Sequence, residues 1–144
     1  MLRAVGAYAL GDSHLGDRLL RMSSTLHGGL ADAKDGPCGA MVSGILIIGA
    51  LYGRSDATQD DSLGCAIARH WRARFRREFG TDDCATLRDT VKVGPEYPSP
   101  CGTIMVRAAR MLAELLDSVA ASHKGGTGTA GATGDHDRSW MDSA

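Results

Sequence analysis

The chain has 144 residues, enough for one domain with a hydrophobic core, and its 43% hydrophobic and 23% charged residues are the balance of an ordinary globular protein. A net charge of −1 lacks the strongly basic footprint of a nucleic-acid-binding domain. The longest strongly apolar run, Ile45 to Tyr52, is far short of the roughly 20 residues that cross a bilayer, so no membrane span is expected.

Every periodic segment reads as helix, and none alternates convincingly at period two. Leu2, Val5 and Tyr8 suggest a helix under way at the first residue. The same opening, "MLRAVGAYALGD", has no long apolar stretch and does not read as a signal peptide. A cytoplasmic location is therefore the default, with an upstream targeting segment left open.

Leu15, Leu19, Met22 and Leu26 recur at helical spacing, with Asp12 or Ser13 as the cap. Ala40 to Tyr52 is apolar on nearly all sides, as in a helix at the centre of a bundle. Ser43, Gly44 and Gly49 would let neighbouring backbones come close. After the polar "GRSDATQDD", a helix starting at Asp60 or Asp61 sets Leu63, Ile67, Trp71, Phe75 and Phe79 four residues apart, and Gly80 ends it. Its other face carries Arg69, Arg72, Arg74, Arg76 and Arg77.

A short helical turn follows from Asp83 to Asp89, then the loop "VGPEYPSP". The last helix runs from about Gly102 to His123, with a core stripe of Ile104, Ala108, Met111, Leu112, Leu115, Leu116 and Val119. From Lys124 the composition turns to Gly, Thr and Ala. The expected architecture is all-α: a single compact bundle of five or six helices over residues 1–123, with a disordered C-terminal tail over 124–144.

The four cysteines, Cys38, Cys65, Cys84 and Cys101, form no CxxC pair, so zinc-ribbon and thioredoxin patterns are absent. Three of them fall at predicted helix N-termini: Cys38 before the helix from Ala40, Cys84 in the short helix, Cys101 before the last. Unpaired backbone N–H groups and the helix dipole favour negative charge there. A thiol so placed is expected to have a lowered pKa and to be nucleophilic or metal-ligating. Cys65, inside a helix beside Leu63 and Ile67, reads as a packed small residue.

At this level of detail the chain resembles the family of cysteine-motif domains written C-GCAxxG-C-C and described as redox-active. His27-Gly28-Gly29-Leu30 resembles the family's glycine-rich turn, and "GPCGAMVSGILIIGALYG" resembles its motif and apolar helix. "FRREFGTDDCATL" and "CGTIMVRAARMLAELL" resemble the segments that carry the third and fourth family cysteines. The resemblance covers most of residues 1–120 and maps the family cysteines onto Cys38, Cys84 and Cys101, leaving Cys65 without a counterpart. It departs from the pattern twice. The motif's last glycine falls at Ser43, with Gly44 beside it. Laying "RAVGAY" on the family's first helix puts the first family cysteine at about Met1.

What the resemblance implies is a redox role, with an iron–sulfur cluster as the suspected group. Three readings stay open. In one, thiolates from separate helix starts hold a metal cluster through Cys38, Cys84 and Cys101. A fourth ligand would come from Cys65, from a histidine (His27 being the best placed) or from a second subunit. In another, Cys84 and Cys101 form a reversible disulfide that Cys38 attacks. In the third, the protein is a non-catalytic helical interaction module whose cysteines only pack and whose arginine face is the contact surface. A redox partner follows from either of the first two, and a homo-oligomer is compatible with all three. No nucleotide-binding glycine fingerprint or Walker motif is present, and "GGTGTAG" near the C-terminus lacks the strand and helix such a loop needs.

Overall fold

The computed structural model describes residues 1–11, 17–93 and 97–124. Its α-helices are α1 (Leu2–Leu10), α2 (Asp17–Ser23), α3 (Gly39–Tyr52), α4 (Ser62–Phe79), α5 (Cys84–Thr90) and α6 (Pro100–Lys124). A 3₁₀ turn, Ser24–Leu26, continues α2, and among the described residues there is no strand. The all-α bundle expected from periodicity is what forms. The expected tail beyond Lys124 lies outside the described residues, as do the proposed caps Asp12 and Ser13 and the centre of the proline-rich loop.

α3 is the hub of the bundle. It packs chiefly against α4 and also against α1 and α6. Its Ile47 and Ile48 are fully buried, each contributing about 1.5–3 kcal/mol by leaving water. Gly44 permits the close approach of α4: a Cβ there would lie 2.3 Å from Trp71 Nε1. The Trp71 ring fills that gap, and its Nε1–H donates to the Met41 carbonyl at 2.9 Å, so the buried indole leaves no donor unsatisfied. Phe75 stacks edge-on to Trp71 with centroids 5.8 Å apart, and Phe79 continues the row. On α6, Ile104, Ala108, Leu112, Leu115, Leu116 and Val119 are buried, and Met111 is half-buried.

Helix ends follow local chemistry. Ser99 Oγ accepts from the Gly102 N–H at 3.1 Å and Pro100 occupies the first helical position, where its missing N–H costs nothing. α6 therefore begins two residues earlier than expected and takes Cys101 into its first turn. Asp83 caps α5 by accepting from Thr86 N–H at 2.8 Å. Gly80 closes α4 in the left-handed conformation, φ 80°.

Two expectations are corrected. The helix drawn up to Leu26 resolves into α2 and the 3₁₀ turn, and Met22 is 68% exposed rather than in a core stripe. On α1, Tyr8 is 62% exposed and its hydroxyl donates to Asp117 at 2.8 Å, joining α1 to α6. The arginine face is partly used within the fold. Arg74 donates to Glu114 at 2.6 Å and to the Met111 carbonyl at 3.1 Å, joining α4 to α6. Arg72 and Arg76 pair with Asp82 at 2.7 and 3.5 Å.

Candidate functional site

Residues 28–32 form a compact left-handed coil: Gly28, Gly29, Leu30, Ala31 and Asp32 all have φ between 51° and 74°. For the three that carry a Cβ this conformation costs on the order of 1–2 kcal/mol each. Hydrogen bonds hold it: Ala31 N–H to Thr25 O and Lys34 N–H to Gly28 O, both 2.7 Å, and Asp32 N–H to His27 O at 3.1 Å. Strain of this kind persists where surrounding structure over-determines the backbone, and it concentrates at functional sites.

That coil delivers the chain to a single antiparallel bridge between Pro37 and Asp83. Cys38 N–H donates to Asp82 O at 2.7 Å and Cys84 N–H to Gly36 O at 2.9 Å. The starts of α3 and α5 are thereby pinned side by side, although 46 residues separate the two cysteines in sequence. Glycine makes the approach possible: a Cβ on Gly39 would lie 2.0 Å from the Leu26 carbonyl oxygen.

Cys38, Cys84 and Cys101 all line one cavity of about 430 Å³. Cys38 is the N-cap of α3, Cys84 the first residue of α5, and Cys101 lies in the first turn of α6. Met1, the N-cap of α1, lines the same cavity. Four helix N-termini therefore meet there. Arg3 and Arg88 add cationic side chains, His27 an imidazole, and Leu2, Leu20, Leu26, Leu87 and Ile104 an apolar wall.

The thiols differ in access. Cys84 is 5% exposed, Cys38 half-buried and Cys101 exposed, and all are free thiols. The expected lowering of pKa does not hold for Cys38 and Cys84. Burial pushes Cys38 up, outweighing the N–H groups of Ala40 and Met41, which pull it down without closing a cap hydrogen bond. Cys84 and Cys101 push it further in the same direction. Burial also raises Cys84, helped by Cys101 and opposed by Arg88. Desolvation of the charged form here exceeds what the helix N-terminus supplies.

Cys65 is corrected outright: it is exposed on α4 and is not part of the cavity. The buried positions Gly64, Ile67, Trp71 and Phe75 define the inner face, and one residue past Gly64 the helix has turned about 100° away. Among the described residues, no three His, Cys, Asp or Glu side chains come close enough to hold a metal ion. No described helix is long and apolar enough to cross a membrane.

Sequence reasoning missed Asp82, whose carboxylate binds two arginines while its carbonyl holds Cys38, and Arg3 and Arg88 on the cavity wall. Only the run Asp82-Asp83 ahead of Cys84 hinted at the first of these.

A family model described as "Putative redox-active protein (C_GCAxxG_C_C)" matches residues 4–115. No curated protein and no solved structure matches the chain.

Proposed function

Because the chain belongs to the C_GCAxxG_C_C family, we propose that it acts in redox chemistry, with Cys38, Cys84 and Cys101 as thiolate ligands of an iron–sulfur cluster. One observation carries this reading: three thiols from three helix N-termini line a single cavity of about 430 Å³. Cysteine thiolates are the donors that hold iron–sulfur clusters, and the cavity lining supplies three. No three ligating side chains among the described residues stand close enough to hold one ion.

The raised pKa values support the same choice. A free thiol that keeps its proton near neutral pH is a poor nucleophile for disulfide exchange. A metal centre instead deprotonates a coordinating thiol outright. The helix N-termini, Arg3 and Arg88 would offset the negative charge of the thiolates, and the apolar wall would limit water. When bound, such a cluster supplies reversible one-electron transfer.

A second reading, a reversible Cys84–Cys101 disulfide attacked by Cys38, is supported by the cavity that all three residues line. Anaerobic reconstitution with iron and sulfide separates the two. The cluster reading expects visible absorption at stoichiometric iron, lost in C38S, C84S and C101S and kept in C65S. An uncoloured protein overturns it. A redox titration with mass-mapped disulfides then shows whether Cys84 and Cys101 pair.

A further inference from the structure

We infer that the cavity lined by the three cysteines binds a small organic acid. Its apolar body lies against Leu2, Leu87 and Ile104, a hydrogen-bonding oxygen meets Ser43 Oγ, and its carboxylate is held by Arg3 and Arg88. The inference concerns the metal-free protein and stands apart from the cluster reading.

Ser43 gives the first argument. It lines the cavity and is 8% exposed, yet its hydroxyl has no hydrogen-bond partner among the described residues. A buried polar group left in that state costs about 1–3 kcal/mol, and native structures hold few of them. The other buried polar side chains of the described core are satisfied. Asp82 is paired with Arg72 and Arg76, and Thr103 donates to the Ser99 carbonyl. Ser43 alone of the three faces the cavity.

Charge gives the second argument. Arg3 and Arg88 line the cavity and are exposed, which places them at its open side. Neither has an ion-pair partner among the described residues. No Asp or Glu stands among the described lining residues to neutralise them. The inner wall is the reverse: Leu2, Leu87 and Ile104 are buried and offer only apolar surface. Burial keeps the Cys38 and Cys84 thiols protonated near neutral pH, so they do not oppose an anion. The N-termini of α1, α3 and α6 open on the same space and favour negative charge.

Size agrees with both. A volume of about 430 Å³ falls among small-molecule sites, which join an apolar lining to a few placed polar groups. A ligand that is apolar in the middle, anionic at one end and oxygen-bearing at the other matches this wall group by group.

The test is calorimetry on the reduced, metal-free, full-length protein. The probes are straight-chain ω-hydroxy acids of about six to twelve carbons, the matching plain acids and the matching uncharged diols. The best ω-hydroxy acid should bind one per chain, about tenfold tighter than its plain acid and than its diol. Ser43→Ala should abolish the first preference, and the double variant Arg3→Gln/Arg88→Gln the second. Iodoacetamide labelling then locates the ligand: it should slow modification of Cys101 and leave Cys65, outside the cavity, unchanged. Should a variant fail to fold, the wild-type preferences and the labelling decide. Absence of binding up to about 1 mM, equal affinity for acid and diol, or unaltered labelling of Cys101 overturns the inference, leaving Ser43 served by water alone. The cluster reading is untouched by any of these outcomes, since reconstitution with iron and sulfide judges it separately.

Discussion

Gly29 sits so close to Cys84 that a Cβ on it would lie 2.9 Å from the Cys84 Cβ. The contact joins the left-handed coil directly to a thiol of the candidate site. Gly29 also has φ 74°, so alanine there meets both backbone strain and a clash with Cys84 and with Lys34 Cα at 3.0 Å. We expect Gly29→Ala to cost about 2 kcal/mol or more and to displace Cys84. Ala31→Gly should do the reverse. Ala31 has φ 51° and is exposed, and glycine relieves the strain, for a gain of about 0.5–1 kcal/mol. Urea unfolding of both variants checks this, and a Gly29→Ala protein as stable as wild type would remove the coil's packing role.

A second pair of glycines separates close approach from mere helix weakness. Gly44 and Gly49 both lie within α3. A Cβ on Gly44 would strike three atoms of the Trp71 ring within 2.9 Å, whereas nothing lies within 4 Å of one on Gly49. Gly44→Ala should therefore destabilise by about 1–3 kcal/mol through overpacking. Gly49→Ala should stabilise by about 0.5–1 kcal/mol, because alanine loses less backbone entropy in a helix. Thermal unfolding is the measurement. The same sign for both substitutions would mean that the Trp71 contact does not limit the packing of α3 on α4.

The helices were legible in the sequence wherever one face repeats at helical spacing, as on α4 and α6, because that repeat is set by burial against α3. The cysteine positions were legible for a related reason: turn residues before Cys38, Cys84 and Cys101 mark helix starts. Three things were not. The left-handed run through Leu30, Ala31 and Asp32 contradicts the preference of those residues and is set by tertiary hydrogen bonds. The side of α4 that Cys65 takes depends on one residue of helix phase. The rise in the Cys38 and Cys84 pKa values comes from desolvation, which no local motif reports.

Asp82 links the arginine face of α4 to the candidate site. It is 9% exposed; its carboxylate accepts from Arg72 Nε at 2.7 Å and lies 3.5 Å from Arg76, and its carbonyl accepts from Cys38 N–H. Removing the carboxylate leaves the two half-exposed arginines free to turn to water, so the lost charge-assisted bonds set the cost. We expect Asp82→Ala to destabilise by about 1–3 kcal/mol. It should also loosen the Pro37–Asp83 bridge. Amide hydrogen exchange reads the second effect: protection of the Cys38 and Cys84 N–H groups should fall. Unchanged protection would show that the bridge holds without the ion pairs.

The two raised thiol pKa values predict how the metal-free protein responds to alkali. Folding holds the protons of Cys38 and Cys84 more tightly than the unfolded chain does, since both pKa values lie above the ordinary 9.0. The stability this represents is complete below pH 9.0 and is lost as pH rises through the folded-state values. The urea midpoint of the apo-protein should therefore fall between pH 8 and pH 11. Tyr8 and Tyr52 act in the same direction, Tyr8 through its hydrogen bond to Asp117 and Tyr52 through burial, so variants must apportion the effect. Cys38→Ser and Cys84→Ser should each show a smaller fall than wild type. Alkylation gives an independent reading. Mass-mapped iodoacetamide labelling at pH 8 should modify Cys65 and Cys101 first, with Cys38 and Cys84 catching up only above pH 9.0. If Cys84 were the fastest thiol at pH 8, desolvation would not dominate at this site, and disulfide exchange would become the stronger reading.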